Sequence, residues 1–241
     1  MKSNPDVSFV VHGLNEEKVL SVTLKRLREI KNEATKDVEI IFIDEGSEDG
    51  SVKVARRFAD RVYQLKGKPV FGRTRDFGSR QAKGKIIVSI DSENLLPLDA
   101  VDKIMKAFSD RKVVAMTCEC YVFPWEENYM DRVFHVLQNE WFYLLCVSGI
   151  LPMGKELHAF RRDAFEKVQG YNDKLAASED VDLFRRIARV GKVVFMKELK
   201  IYESPARYRK FGYLRTYAYW TLNSLKYLLG MPVEEYKRVV H

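Results

Sequence analysis

Apolar residues gather in four short runs, at residues 7–11, 38–43, 86–90 and 113–117. Runs of this length, bounded by turn residues, read as buried strands. Between them the period changes. Leu20, Leu24 and Leu27 fall on one helical face, as do Val101, Ile104, Met105 and Phe108. Helices over residues 51–59 and 74–82 and a strand over 61–65 fill the gaps. The pattern predicts a βαβαβ rhythm, hence an α/β chain with a central, mostly parallel sheet flanked by helices. Asn15 reads as the N-cap of the first helix, with Glu16 and Glu17 in its first turn.

After residue 117 the parallel rhythm stops. A helix is predicted over residues 128–146, rich in aromatics such as Phe134, Trp141, Phe142 and Tyr143. Such a helix is most often core, and it can also line an acceptor pocket. Phe160-Arg161-Arg162-Asp163 leads into a short helix. Leu183, Phe184, Ile187 and Val190 mark another, with Ser178 as its N-cap and Gly191 as its stop.

At 241 residues and 46% apolar, the chain is expected to make one large soluble domain or about one and a half. Its net charge of +7 predicts an anionic partner. Three cysteines argue against a disulfide framework. Cys118 and Cys120 would share a strand face, but no second Cys/His cluster stands near to complete a metal site. No apolar leader and no run of 18 apolar residues occurs, so a cytoplasmic location is expected. From Pro205 to Pro232 there is no acidic residue. Arg207, Arg209, Lys210, Arg215 and Lys226 alternate there with Tyr208, Tyr213, Tyr217 and Trp220. That mixture suits an anionic bilayer surface. With no nucleic-acid recognition motif present, no nucleic-acid partner is expected. The chain divides into a domain over residues 1–204 and a basic, aromatic, amphipathic helical appendage over 205–241.

Candidate chemistry lies at the strand ends. Asp91-Ser92-Glu93 follows the run at 86–90, and ligands of open α/β sheets bind at carboxyl strand ends. Two carboxylates there suit a magnesium-like cation shared with substrate phosphates. Asp44-Glu45-Gly46-Ser47-Glu48-Asp49-Gly50 ends the second strand. Gly72-Arg73-Thr74-Arg75-Asp76-Phe77-Gly78 precedes the fourth, and Glu179-Asp180 opens a late helix. Each has a plainer reading as a polar turn, surface arginines or helix-capping acids. No Gly-x-Gly-x-x-Gly follows the first strand and no Walker A sequence occurs, which disfavours dinucleotide dehydrogenases and P-loop ATPases.

Taken in order, these motifs resemble a family 2 glycosyltransferase of the GT-A fold, over roughly residues 6–204. The resemblance implies a nucleotide-sugar donor, a divalent cation (Mg²⁺ or Mn²⁺) and inversion at the anomeric carbon. Asp44 would lie near the nucleobase with Glu45 beside it, and Arg75 close to the nucleotide. Asp91 would address the ribose or metal, and Glu93 the metal, in a DXD-like motif. Glu179 would line the substrate site, and Asp180 would be the catalytic base. An ordinary aspartate is already ionised at neutral pH, so no raised pKa is required of it. The acceptor would be a glycan or a polyprenyl phosphate, with peripheral contact at the inner face of the membrane. Glu45, Thr74, Asp76 and Glu93 depart from the usual pattern. Tyr202-Glu203 stands where a metal- or diphosphate-binding histidine is common, and that role is left unassigned. The competing readings are a nucleotidyltransferase, whose glycine-rich loop His12-Gly13-Leu14-Asn15 does not supply, a degenerate, non-catalytic nucleotide-sugar-binding module at a membrane surface, and a basic nucleic-acid-binding protein.

Overall fold

The computed structural model describes residues 4–68 and 70–233; the end of the predicted appendage, residues 234–241, lies outside them. The chain begins β1 (Val7–Gly13), α1 (Glu17–Glu33), β2 (Val38–Asp44), α2 (Ser51–Phe58), β3 (Arg61–Gln64), α3 (Phe71–Gln81) and β4 (Ile86–Asp91). It continues through α4 (Ala100–Ala107), β5 (Val113–Val122), α5 (Tyr129–Val147), β6 (Leu157–Arg161) and α6 (Arg162–Lys167). It ends with α7 (Glu179–Ile187), β7 (Lys192–Glu203), α8 (Ala206–Phe211) and α9 (Tyr213–Leu228).

All seven strands join one sheet in the order β3-β2-β1-β4-β6-β5-β7. The pairs β1–β2, β1–β4, β2–β3 and β5–β7 are parallel, and β6 runs antiparallel to both its neighbours. The chain winds outward from β1 in one direction through β2 and β3, then crosses to β4 on the other side. That reversal opens a crevice at the carboxyl ends of β1 and β4, where ligands of open α/β sheets bind. Register brings the polar strand ends together. His12 pairs with Asp91, and Gly13 with Asp44. A Cβ on Gly13 would stand 2.8 Å from the Ser92 hydroxyl, so only glycine lets these ends approach so closely.

Period-2 alternation sends neighbouring residues to opposite faces. Phe9 and Val11 join the cluster under α1 and α4, built on Leu20, Leu24, Leu27 and Ile104. Val10, Ile41 and Ile43 join the opposite cluster, with Phe160, Leu183, Phe184 and Ile187. The sheet is therefore covered on both sides, as a mostly parallel sheet requires.

Two local expectations need correction, and a third holds in position only. Asn15 is not the N-cap of α1; Glu16 holds that position. Asn15 instead takes a φ of +56°, which asparagine tolerates. Its Oδ1 accepts from Glu48 N–H at 2.8 Å, and its N–H donates to Ser47 Oγ at 2.9 Å, tying the end of β1 to the acidic turn after β2. Ser178 does hold the N-cap position of α7, but at φ +60° and with no side-chain capping bond. The aromatic helix α5 starts with a capping box between Asn128 and Asp131, but its buried face is polar. Asp131, His135, Gln138 and Asn139 point inward, while Trp141 is half exposed.

The helix α3, which carries Arg75, presses on the sheet through Gly78. A Cβ there would meet Val10 Cγ1 at 2.6 Å and Ile43 Cγ1 at 2.8 Å. Overpacking of this kind typically costs about 1–3 kcal/mol. Gly78→Ala should therefore lower the urea-unfolding free energy by about that amount, with the slope against urea unchanged.

Candidate active site

The site is organised by one buried guanidinium. Arg75, on α3, donates through all three nitrogens. Nε reaches Glu179 Oε1 at 3.1 Å, Nη1 reaches Ser89 Oγ at 3.0 Å, and Nη2 reaches Asp91 Oδ1 at 2.9 Å. One residue thus joins α3, β4 and α7. Backbone contact fixes the start of α3. Gly72 N–H donates to Leu175 O at 3.0 Å, and a Cβ on Gly72 would stand 2.1 Å from Asn172 O. Asp91 is held further by His12 Nε2, at 3.1 Å, and its backbone N–H donates to Asn94 Oδ1 at 2.9 Å.

Three carboxylates crowd this single arginine, and they divide by environment. Burial opposes the charge on Arg75, but Asp91 and then Glu179 more than offset it and hold its pKa above the ordinary value. Burial also works against ionised Asp91, yet Arg75 and His12 hold its pKa down at about 2. Glu179 is pushed up by burial, against the pull of Arg75. Asp180 is pushed up to about 7, first by burial and then by the neighbouring Glu179 charge. The structure thus alters the expectation that Asp180 titrates as an ordinary aspartate. A carboxylate beside another acid and only partly compensated by arginine is poised near neutrality.

Two adjoining cavities meet at Phe71, Asp91 and Arg207. The larger, of about 420 Å³, is lined by Arg75, Asp91 and Asp180 and by the aromatic Trp141, Phe142 and Trp220. The smaller, of about 50 Å³, is lined by His12, Glu45, Glu93 and Ser92. Arg75, Asp91, Glu179 and Asp180 therefore share one chamber, and Glu45 and Glu93 share its annex. Asp44 lines neither. It is fully buried at the end of β2, and its carboxylate accepts from Gly46 N–H at 3.3 Å and Ser47 N–H at 3.2 Å, shaping the turn.

Asp91 and Glu93 are hard oxygen donors on one rim. No group of three metal-ligating side chains converges among the described residues. That fits a magnesium-type site, which takes one or two carboxylates from the protein and its remaining ligands from phosphate and water. It does not fit an all-protein cage.

Sequence reasoning missed three residues of this region. His12 is buried between Asp91 and Glu45, whose Oε1 lies 3.7 Å from His12 Nδ1. Only strand register reveals that pairing. Arg207 places Nη2 3.7 Å from Glu93 Oε1 and walls both cavities. It is the cation that follows β7 where a histidine was sought. Tyr202-Glu203 has another use. Glu203 accepts from Tyr208 OH at 2.6 Å and faces His135 Nε2 at 3.2 Å, inside the fold. His158 also lines the larger cavity. Burial and then Arg75 hold its pKa well below normal, so it is neutral. Its Nε2–H donates to Lys155 O at 2.7 Å, leaving Nδ1 to accept from Tyr171 OH at 2.8 Å.

Known proteins share this arrangement of chain. The mannosyltransferase PcManGT from Pyrobaculum calidifontis, solved with GDP-Man and Mn²⁺, superposes with a TM-score of 0.72 at 19% identity, over 96% of this chain and 66% of that one. Glucosyl-3-phosphoglycerate synthase from Mycobacterium tuberculosis, solved with Mn²⁺, UDP and glucosyl-3-phosphoglycerate, gives 0.59 at 17% identity, over 95% and 81%. These likenesses establish the GT-A fold. In sequence, the chain is 28% identical over 169 residues to the dolichyl-phosphate beta-glucosyltransferase of Mus musculus, covering 60% of this chain and 51% of that protein. The chain thus spans about half the length of that relative. The pattern of the family described as glycosyl transferase family 2 matches residues 8–168. That match takes in well over half of the sequence, and the chain belongs to glycosyl transferase family 2.

Proposed function

We propose that the chain is a metal-assisted, inverting glycosyltransferase that moves a sugar from a nucleoside diphosphate to an acceptor hydroxyl or lipid phosphate. The observation that carries this reading is the shared chamber of Asp91, Arg75 and Asp180. A permanent cation and a strongly ionised acid stand beside an acid poised near pH 7. The match to family 2 and the nucleotide and Mn²⁺ complexes of the two structural neighbours support it.

In this reading the donor diphosphate lies by Asp91, Glu93 and Arg207, with the nucleoside toward Glu45 and the turn that Asp44 shapes. Asp91 and Glu93 would hold the divalent cation, which supplies charge neutralisation on the departing diphosphate. Arg207 adds a positive charge on the same side. Asp180, as carboxylate, takes the proton from the acceptor hydroxyl while that oxygen bonds to the anomeric carbon. The bond from that carbon to the diphosphate breaks, and a single displacement inverts the centre. Arg75 holds Asp91 and Glu179 in place and sets the charge felt by Asp180. Its rigid fork, not just its charge, does this, so lysine is a poor substitute.

The acceptor sets how much the base matters. A hydroxyl must lose its proton, and a positioned base is worth about 10²–10⁴-fold. A phosphate monoester, whose second pKa is about 6, is already an oxyanion at neutral pH. The apolar walls of the chamber, with Trp141, Phe142 and Trp220, favour an amphiphilic acceptor. The mouse relative bears the name of a dolichyl-phosphate glucosyltransferase, and a lipid phosphate has the same amphiphilic character.

The direct test is a thermal-shift panel of UDP-, GDP-, dTDP- and CMP-sugars with and without Mg²⁺ or Mn²⁺. A rise in melting temperature with one nucleotide, enhanced by metal, is expected because a ligand of the native state alone must stabilise it. No shift with any of them, in folded protein, would overturn the nucleotide-sugar reading. Asp180→Asn should keep donor binding while lowering kcat for a hydroxyl acceptor about 10²–10⁴-fold, and far less for a lipid phosphate. Loss of binding would refute a pure base role. With a hydroxyl acceptor, the rate should rise with pH through about 7, as the Asp180 proton leaves. Glu179→Gln removes a charge that raises the Asp180 pKa, so this limb should move to lower pH. An unmoved limb would assign it to another group.

A further inference from the structure

We propose that α5 and α9 form a single apolar face that seats on an anionic lipid bilayer. The evidence is an inversion of ordinary amphipathicity in both helices. A helix on a soluble domain buries its apolar stripe. Here α5 buries Asp131, His135, Gln138 and Asn139 and exposes Met130, Leu137, Trp141 and Leu144. The outward positions recur at helical spacing, so they form one stripe. In α9 the buried residues are Thr216 and Asn223, while Leu214, Leu222 and Leu225 face outward, as does Leu229 just past its end. Leu214 is 85% exposed and Leu137 66%. The helices adjoin through Phe134, whose ring lies 4.6 Å from Tyr213 and 6.2 Å from Tyr217. The far end of α9 is pinned to α7 by Tyr227 OH donating to Asp182 Oδ1 at 2.6 Å. The face is thus fixed to the domain, and an apolar patch built from two such stripes marks an interaction site.

Charge selects the occupant. Residues 205–232 hold no acid, and Lys210 and Arg215 are exposed beside the leucines. The acids of this region are matched by cations. Glu140 pairs with Lys197 at 2.7 Å, Glu126 with Arg209 at 3.6 Å and Glu127 with Arg132 at 3.7 Å. An excess of positive charge around an apolar stripe fits acyl chains beneath anionic headgroups. Exposed Trp125, Tyr129 and Trp141 add side chains suited to the headgroup zone. A second copy fits less well, since a two-fold contact would set the same cations against each other. No helix among the described residues is long and apolar enough to cross a membrane, so the contact is peripheral. The face also continues into the larger cavity, because Trp141, Leu225 and Leu228 belong to both.

The inference needs no donor, acceptor or turnover, so its test is independent of the transferase reading. The protein is floated with vesicles of phosphatidylcholine alone and of phosphatidylcholine with phosphatidylglycerol, and its solution mass is measured. Flotation with the anionic vesicles is expected. Lys210→Gln and Arg215→Gln should each weaken it roughly fivefold, at about 1 kcal/mol per cation. Leu137→Gln, Leu144→Gln, Leu214→Gln and Leu222→Gln together keep the net charge and should weaken it more than about tenfold, with an unchanged circular dichroism spectrum. Should the fourfold variant misfold, Leu214→Gln alone should still lower flotation measurably. No flotation with either vesicle, equal flotation of the wild type and the apolar variants, or a dimer that the leucine substitutions dissociate would each overturn the proposal.

Discussion

Arg75 directs its three nitrogens to three side chains on two elements, β4 and α7, and the candidate site depends on that fork. It links α3 to the end of β4 and the start of α7 through side-chain bonds. With it, Ser89, Asp91 and Glu179 are set by directional bonds to a planar group. The cost of burying a guanidinium is offset only because both acids are there to answer it, and removing either partner would strand a buried charge. The fork also fixes the order in which the acids ionise. Asp91 takes the fork and His12 and stays charged, while Glu179 and Asp180 share what compensation remains. A poised acid at Asp180 is therefore a consequence of how one cation is divided.

The sheet makes that division possible. The order β3-β2-β1-β4 places the reversal beside β1, so the carboxyl ends of β1, β2 and β4 all reach the same crevice. Parallel pairing then fixes which residues stand side by side. His12 faces Asp91 because β1 and β4 are in that register, and a slip by one residue would send both side chains to the other face. Gly13, Gly72 and Gly78 serve the same end by letting strand, loop and helix come closer than any side chain permits. The site is thus an outcome of backbone approach before it is an outcome of side-chain chemistry.

That distinction explains what could be read along the chain. The strands 7–11, 38–43, 86–90 and 113–117 were legible because buried parallel strands leave short, predominantly apolar runs, each holding a single polar residue here, and the parallel α/β class followed. Arg75, Asp91, Glu179 and Asp180 were legible through motif resemblance, and the fold brings all four together. His12 and Arg207 were not, because each becomes a neighbour of an acid only through register or through the return of the chain after β7. Asn15 was misread for a local reason. An asparagine before two glutamates looks like a cap, but here its amide bridges to a turn more than thirty residues away, and a long-range bond overrode the local preference. The Asp180 pKa was out of reach as well, since it depends on burial and on a shared arginine.

The inversion of α5 was hidden for a different reason. A helical period reports that a stripe exists, not which side faces the core. On α5 both faces carry a stripe: one of Asp131, His135, Gln138 and Asn139, the other of Met130, Leu137, Trp141 and Leu144. The usual rule would bury the second. The fold buries the first because it has polar work for Asp131, His135 and Asn139. His135 meets Glu203 and the Asp131 carbonyl, while Asn139 closes a pair of bonds with the backbone of Cys120. Once those bonds are made, α5 cannot rotate to hide its leucines without leaving buried donors and acceptors unmatched, at about 1–3 kcal/mol each. The apolar side is therefore held outward by the polar side.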